Sequence, residues 1–253
     1  MTLSVVIPVH NEETAIDRVT LDLMKELSAR DIPHEIILVN DNSTDASPRI
    51  LDSLRRRYES VKVVHAAPPK GFGKAVSTGL RAVTGEGVVI YMGDASDDPR
   101  DVVMYYRKLC EGYDCVFGSR FLKGSKVRGY PRVKLLLNRA GNLFIQLMFC
   151  IRYNDISNAF KAYRTGVIRS VEPLVSRYFN ITVEIPLKAI IRGYSYCVVP
   201  ISWNGRNSGV SKYHIRELSR KYFFSILYVW LEKLLLSREI EKAKGGYDQD
   251  KQI

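Results

Sequence analysis

The sequence predicts an α/β fold in which a mostly parallel central sheet is flanked by helices. Short apolar runs alternate with amphipathic segments through the first half of the chain, which is typical of β-α-β units. These runs are apolar on both faces, as expected for strands that helices cover on both sides. The 253 residues are 46% hydrophobic, which is enough for a sizeable core.

Five strands and four helices are predicted before residue 120. The strands fall at residues 3–9, 34–40, 61–66, 87–93 and 113–119. The helices fall between them, at residues 12–30, 45–60, 72–83 and 99–110. Ile16, Val19 and Leu23 show why the first of these is helical, because they recur at the spacing of one helix face.

The pattern changes in the second half. A basic loop at residues 122–132 leads into an amphipathic helix at 135–151, and a later strand is predicted at 195–203. We expect one continuous domain over residues 1–215, an amphipathic helix over 216–243 and a disordered polar tail over 244–253.

Charge and cysteine content narrow the classes of partner. Lys and Arg outnumber Asp and Glu by 38 to 27, and the net charge of +11 favours an anionic partner such as a nucleotide, a phospholipid or a nucleic acid. The four cysteines form no C-x-x-C pair, so neither a zinc site nor a disulfide framework is expected, and Cys150 is interpreted as a buried thiol. This cysteine usage fits a reducing cytoplasm best. No signal peptide and no uninterrupted spanning segment is recognised.

Polar clusters follow three of the predicted strands. They lie at residues 8–13, 40–45 and 93–98. In an open parallel sheet, ligands bind outside the carboxyl ends of the strands. If the first, second and fourth strands are neighbours, the three clusters share one crevice.

Helix capping explains part of this polarity. Asp98 precedes Pro99, which is the pattern of an N-cap followed by proline at the first helical position. Capping does not require Asp94, Ser96, Asp97 and Asp98 together, and adjacent carboxylates repel one another unless a cation or a proton holds them. Asp94 and Asp98 therefore predict a Mg²⁺ or Mn²⁺ site.

The stretch "PPKGFGKAVSTG" is not a standard phosphate loop. It fits neither the Walker A pattern nor G-x-G-x-x-G. Gly71 and Gly73 still allow close approach of the backbone to a ligand, and Lys70 and Lys74 face either phosphates or solvent.

The motifs in their order resemble a known family. "VVIPVHNEE", "LVNDNSTD", "GFGKAVSTGL" and "GDAS" are similar to the nucleotide-sugar half of family 2 glycosyltransferases with a GT-A fold. "FGSRF", "LLLNRAGNLF", "DISNAFKAYR" and "RNSGVSK" resemble segments of dolichol-phosphate and polyprenyl-phosphate mannosyl- and glucosyltransferases. The likeness covers residues 3–215, with a nucleotide-sugar half at about 1–118 and an acceptor half at about 119–215.

The resemblance implies a donor site and a metal site. Nucleotide-sugar binding is expected at Pro8, His10, Glu12, Val39, Asp41, Lys74, Asp94 and Ala95. The metal, Mg²⁺ or Mn²⁺, is expected at Asp94, Ser96 and Asp98. Two positions depart from the family pattern: His10 stands where a tyrosine is usual, and Ser96 stands where the second aspartate of the D-x-D motif is usual. Asp97 or Asp98 could compensate for Ser96.

The resemblance also implies basic acceptor contacts. Acceptor-phosphate binding is expected at Arg120, Lys134, Arg139 and Lys212, and catalysis at Asp94, Arg120, Arg206 and Lys212. A lipid phosphate brings its own anionic nucleophile, so the protein has to hold two anions together and stabilise the leaving nucleotide. Lys134 and Arg139 could equally be ordinary surface cations on their helix.

The function implied is an inverting, metal-dependent transfer of a hexose. The donor is a nucleotide sugar of the GDP-mannose or UDP-glucose type, and the acceptor is a polyprenyl or dolichyl phosphate at the cytoplasmic membrane face. The two half-apolar helices then contact the membrane surface, a membrane-protein partner or the core, and a homo-oligomer is also conceivable.

Three alternatives remain. The acceptor could be a sugar hydroxyl, which needs a general base, and Asp155 and Glu184 are the candidates. The chain could be a non-catalytic scaffold that binds nucleotide sugars. A nucleic-acid binder is suggested by charge alone, and no recognised motif supports it.

Overall fold

The computed structural model describes residues 1–205 and 220–236. The strands are β1 (Leu3–Val9), β2 (His34–Asn40), β3 (Val61–His65), β4 (Gly87–Ile90), β5 (Cys115–Ser119), β6 (Lys126–Arg128), β7 (Lys161–Arg164), β8 (Tyr196–Pro200) and β9 (Ser202–Asn204). The helices are α1 (Ile16–Ser28), α2 (Ser47–Arg57), α3 (Phe72–Arg81), α4 (Pro99–Cys110), α5 (Arg132–Phe149), α6 (Thr165–Ser170), α7 (Ile181–Ile191) and α8 (residues 220–236).

The central sheet confirms the predicted fold class. Its seven strands have the order β3-β2-β1-β4-β7-β5-β8. All pairings are parallel except those of β7, which runs antiparallel to both β4 and β5. Because β2, β1 and β4 are neighbours, the polar clusters that follow these strands lie at one edge of the sheet.

Helices cover both faces of the sheet. Alternate strand residues enter two separate cores, as the two-residue period of a strand requires. Val6, Ile37 and Val88 point into the core covered by α3, α5, α6, α7 and α8. Val5, Ile36 and Val89 point into the core covered by α1, α2 and α4.

The second half of the chain differs in several places from the sequence-based expectations. The segment predicted as one strand at residues 195–203 is divided at Ile201, so that β8 extends the central sheet and β9 pairs in parallel with β6 in a second, two-stranded sheet. The prediction of a buried Cys150 is wrong, since this residue is exposed in a left-handed conformation at the end of α5. The disordered tail expected at 244–253 lies outside the described residues.

α5 and α8 each bury one face and expose another apolar face. Ile145 and Phe149 of α5 join Ile226 and Val229 of α8 in one core cluster. Exposed apolar side chains on the two helices are Val133, Leu136, Leu137, Leu143, Phe144, Leu147, Phe223, Phe224, Leu227, Leu231, Leu234 and Leu235. In the described part of the chain, no helix combines the length and the apolar character needed to cross a bilayer.

Candidate active site

The candidate site lies at the carboxyl edge of β2, β1 and β4, which is the position of the ligand crevice in open parallel sheets. β1 ends at Val9 beside Asn40, the last residue of β2, and the backbone N–H of Asp41 continues the pairing by donating to the Val9 carbonyl at 2.8 Å. In the same way, the Tyr91 N–H continues the pairing of β4 with β1 by donating to the Val6 carbonyl at 2.9 Å. The sheet thus brings the three polar clusters together, as their positions predicted.

Asp41 and His10 form the first wall of the crevice. Asp41 is buried, and both of its carboxylate oxygens accept from the backbone N–H of Gly71, at 3.0 and 2.9 Å. Lys70 Nζ lies 3.2 Å from His10 Nε2, and because an ammonium only donates, Nε2 is the acceptor. His10 Nδ1 then carries the proton and donates to the Asp41 carbonyl at 2.8 Å. His10, Asp41 and Lys70 therefore form one hydrogen-bonded unit.

Four other residues that were predicted to bind the nucleotide sugar have structural contacts. Lys74 Nζ donates to the carbonyls of Ala67 and Pro68, both at 2.8 Å, so it ties down the loop before α3. The Val39 side chain is fully buried in the core, and Pro8 is buried beside it in the β1–β2 register. Glu12 is half-buried, and its N–H donates to Ser47 Oγ at 2.9 Å.

The acidic turn after β4 comprises residues 93–98, and its aspartates make different contacts. Ala95 has a φ of +60°, which turns the chain back so that the Ser96 N–H donates to Asp94 Oδ1 at 3.1 Å. Asp97 is buried and accepts from the Met92 N–H at 3.1 Å. Burial and the neighbouring Asp94 charge raise the pKa of Asp97 to about 8, so its carboxyl holds a proton at neutral pH.

Asp98 is engaged by residues at the start of α4. Its Oδ1 accepts from the backbone N–H of Arg100 at 2.9 Å, which makes it the N-cap of α4. The Arg100 guanidinium contacts both carboxylate oxygens and lowers the pKa of Asp98. The sequence suggested that Asp98 is a helix cap or a metal ligand, and the structure shows the helix cap.

The β9 strand covers the acidic turn. The Asn204 N–H donates to the Ser96 carbonyl at 2.9 Å, and Asp97 forms an isolated antiparallel bridge with Trp203. The Ser202 N–H donates to Asp101 Oδ2 at 2.7 Å. Strand β9 therefore holds the acidic turn in place. Arg206 and Lys212, which follow β9 in the sequence, lie outside the described residues.

Arg120 is buried in an ion pair with Asp155. The guanidinium donates from Nε to Oδ2 at 2.8 Å and from Nη2 to Oδ1 at 2.7 Å, with exposed side-chain fractions of 8% and 0%. Its cationic carbon also lies over the rings of Phe121, Tyr130 and Trp203, at 5.6, 5.3 and 5.8 Å. Arg120 thus has a fixed orientation beside the β9 strand that covers the acidic turn.

The predicted acceptor cations on α5 are placed differently. Lys134 and Arg139 are both exposed, and the Arg139 guanidinium lies 4.8 Å from the centre of the Phe121 ring. Arg139 and Arg120 therefore approach the same aromatic side chain.

Sequence reasoning missed several residues of this site. Tyr130 and Trp203 pack against each other with ring centres 5.1 Å apart and form the aromatic wall around Arg120. Asp155 was considered only as a base, whereas the structure pairs it with Arg120. The residues lie 35 positions apart, so no local pattern could indicate the pair.

The protein side chains at the crevice would supply only some of the ligands of a divalent cation. Asp94 is half-exposed at its edge, whereas Asp97 is buried and Asp98 binds Arg100. Among residues 1–205 and 220–236, no three His, Cys, Asp or Glu side chains converge as a metal cage would require. Mg²⁺ and Mn²⁺ often bind through one or two carboxylates and complete their shell with substrate phosphates and water, and Asp94 suits that arrangement.

Comparison with known proteins assigns the family. Residues 4–171 match the model of glycosyl transferase family 2, which is well over half of the chain. The chain belongs to glycosyl transferase family 2. The protein is therefore a glycosyltransferase, as the motifs predicted, and the matched region includes all strands from β1 to β7.

Curated family 2 relatives include two lipid-phosphate mannosyltransferases. The polyprenol monophosphomannose synthase of Mycolicibacterium smegmatis is 29% identical over 82% of this chain and 79% of its own length. The dolichol-phosphate mannosyltransferase of Pyrococcus furiosus is 29% identical over 84% of this chain, and the match spans 59% of that enzyme.

Solved structures share the fold. Glucosyl-3-phosphoglycerate synthase from Mycobacterium tuberculosis, in complex with phosphoglyceric acid, superposes with a TM-score of 0.69 at 20% identity, covering 90% of this chain and 79% of that one. The same enzyme in complex with Mn²⁺, uridine diphosphate and glucosyl-3-phosphoglycerate gives a TM-score of 0.66 at 18% identity, covering 92% and 79%.

Proposed function

We propose that this glycosyltransferase moves a hexose from a nucleotide sugar to a polyprenyl phosphate. Of the two relatives named above, one is a polyprenol monophosphomannose synthase and the other is a dolichol-phosphate mannosyltransferase. The nucleotide sugar would occupy the crevice between the unit of His10, Asp41 and Lys70 and the acidic turn at Asp94. The lipid phosphate would approach from the side of Arg120 and α5.

The buried ion pairs of the second half carry this proposal. A sugar-hydroxyl acceptor needs a general base, whereas a phosphate acceptor is already an anion. Asp155 is held by Arg120, and Glu184 accepts from the N–H groups of Val175 and Ser176 and pairs with Lys188 at 3.2 Å. Both carboxylates that the sequence offered as bases are thus buried and paired, which favours the phosphate acceptor.

The donor side requires stabilisation of the leaving nucleotide. We propose that Asp94 contacts Mg²⁺ or Mn²⁺, which would neutralise charge on the diphosphate as the glycosidic bond breaks. Asp97 is buried and accepts from the Met92 N–H, so it supports the turn and leaves the metal contact to Asp94. Single inversion at the sugar carbon then follows from direct attack by the lipid phosphate oxygen.

We also propose that the exposed apolar faces of α5 and α8 lie on the cytoplasmic face of a membrane. The helices are neighbours, because Lys233 Nζ of α8 donates to the Phe149 carbonyl at the end of α5, at 3.3 Å. Exposed basic residues accompany the apolar face along and beside α5: Arg132, Lys134, Arg139 and Arg152. An apolar face with flanking cations is typical of helices that rest in the interface of anionic membranes.

A donor screen tests the proposed function. The full chain would be incubated with Mn²⁺, a short polyprenyl phosphate and each of the common nucleotide sugars, and the lipid products weighed by mass spectrometry. We expect one donor to give a lipid heavier by one hexose, with release of the nucleoside diphosphate. A screen in which every common donor leaves the lipid unchanged would contradict the proposal.

A further inference from the structure

The segment at residues 175–179 presses on the glycine turn, residues 70–73, beside the crevice. The Lys74 N–H donates to the Arg177 carbonyl at 3.2 Å, and the rings of Phe72 and Phe179 stack with centres 4.0 Å apart. A Cβ added at Gly73 would lie 2.4 Å from the Ser176 carbonyl oxygen. One at Gly71 would lie 2.5 Å from the Arg177 carbonyl oxygen. The glycines are therefore required by the close approach of this segment.

The glycine turn in turn fixes Asp41. The Gly71 N–H is the donor that both Asp41 carboxylate oxygens share, and Lys70 from the same turn contacts His10. A shift of the turn would move the Gly71 N–H away from Asp41 and the Lys70 ammonium away from His10 at the same time. The position of the 175–179 segment therefore sets the shape of this wall of the crevice.

Helix α8 holds the 175–179 segment through a buried polar cluster. Asn180 Nδ2 donates to Ser225 Oγ at 2.7 Å and to Ser176 Oγ at 2.9 Å, and the two serine hydroxyls are 3.0 Å apart. Ser225 is fully buried, and Ser176 and Asn180 are 4% and 6% exposed. Because buried polar atoms are costly without partners, each member fixes the other two.

Charged contacts keep α8 in register over this cluster. The Arg192 guanidinium and Glu232 of α8 are 2.5 Å apart, and Lys188, which pairs with Glu184, lies 3.9 Å from the same Glu232 carboxylate. Glu184 accepts the N–H groups of Val175 and Ser176. The segment is thus held to α8 by two routes, one through hydroxyls and one through ion pairs.

We propose, on the basis of the donor site proposed at Asp41, that Ser225 is a positioning residue for nucleotide binding. Its hydroxyl acts through Ser176 and Asn180, which hold the 175–179 segment against the glycine turn. Ser225 lies next to Phe224, one of the exposed apolar side chains of α8. One helix therefore joins the proposed membrane face to the donor crevice.

The test compares Ser225→Ala with Ser4→Ala in the full chain. Ser4 is a matched control, because it is also fully buried and hydrogen-bonded, to Glu35 and Gly85, and lies near the opposite end of β1. Calorimetry with UDP or GDP and Mn²⁺ would measure the Kd, and amide hydrogen exchange would be followed at Gly71 and Lys74. We expect Ser225→Ala to raise the Kd about fivefold, as loss of one buried hydrogen bond implies, and to speed exchange at both amides. Ser4→Ala should do neither.

Two outcomes would overturn the positioning role. The first is an unchanged Kd and unchanged exchange at Gly71 and Lys74 in Ser225→Ala, with a loss of melting temperature like that of Ser4→Ala. If Ser225→Ala does not fold, Gly73→Ala tests the same contact, because it disturbs the glycine turn from the crevice side. The second overturning outcome is a Gly73→Ala variant with the parent's nucleotide Kd. If the parent binds neither nucleotide, the proposed function fails, whereas the exchange comparison still decides whether Ser225 holds the glycine turn in position.

Discussion

At the scale of single residues, the acidic turn assigns different tasks to three neighbouring aspartates. Asp97 is buried and protonated, Asp98 caps α4 and pairs with Arg100, and Asp94 is half-exposed at the crevice. The proposed metal contact therefore depends on one carboxylate. Ser96, the departure from the family motif, is only 3% exposed, which leaves little room for a metal to reach its side chain.

Asp94→Asn should abolish Mn²⁺-dependent nucleotide binding, because the amide lacks the charge that holds the cation. Calorimetry with nucleoside diphosphate, with and without Mn²⁺, would measure this. Asp98→Asn is the matched control from the same turn. It should keep the helix cap, because asparagine caps a helix as well as aspartate does, and it should change the nucleotide Kd little. Equal losses in both variants would restore Asp98 as a metal ligand and contradict the assignment.

The pair of Arg120 and Asp155 predicts a large effect on stability. Asp155→Asn leaves a buried guanidinium without its counter-ion, which should lower the free energy of unfolding by about 3–5 kcal/mol. Glu111→Gln is the control, because the pair of Lys108 and Glu111 is exposed and should contribute about 1 kcal/mol or less. Urea unfolding would measure both variants. A native-like Asp155→Asn variant that binds donor and fails in transfer would instead favour Asp155 as a base.

At the scale of elements, the first five strands and four helices were predictable, because their apolar periodicity is local. β7 was not predicted as a strand. It is four residues long and begins with Lys161, whose buried ammonium donates to the carbonyls of Ile156 and Thr182. Burial lowers the pKa of Lys161 to about 7. A lysine that folding buries among backbone carbonyls looks like a surface residue in the sequence.

The candidate site shows the same division between local and distant information. The edge of the sheet that carries the three polar clusters followed from strand order, and the cap at Asp98 followed from its position before proline. The partners of Arg120 and the contact between the 175–179 segment and the glycine turn join residues far apart in the chain. Such pairs depend on tertiary packing, and no spacing rule in one sequence reveals them.

Helices α5 and α8 give a prediction about membranes. Phe223 and Phe224 are 58% and 62% exposed, and replacing both with serine should reduce binding to anionic phospholipid vesicles by tenfold or more, at about 1.5–3 kcal/mol for each side chain that enters the membrane. Co-sedimentation with vesicles would measure the change. Val175→Ser is the control, since Val175 is 43% exposed outside the two helices. Equal vesicle binding by the parent and the double variant would place the membrane contact elsewhere or exclude it.

At the scale of the whole molecule, strands from both sequence halves form one sheet. β5 pairs with β7 and β8, so the region around Arg120 and the donor crevice are built on the same framework. The net charge of +11 suits a protein that brings two phosphorylated substrates together. The aspartates at the crevice are a local concentration of negative charge, and a bound cation would offset their repulsion of the donor diphosphate.

The central claim is that the acceptor supplies an anionic phosphate as the nucleophile. The most direct measurement gives the full chain its best donor and Mn²⁺, and compares a short polyprenyl phosphate with the polyprenol of the same length by mass spectrometry. The account predicts a hexosyl phosphate lipid from the first and no product from the second. Comparable transfer to the polyprenol hydroxyl would contradict it.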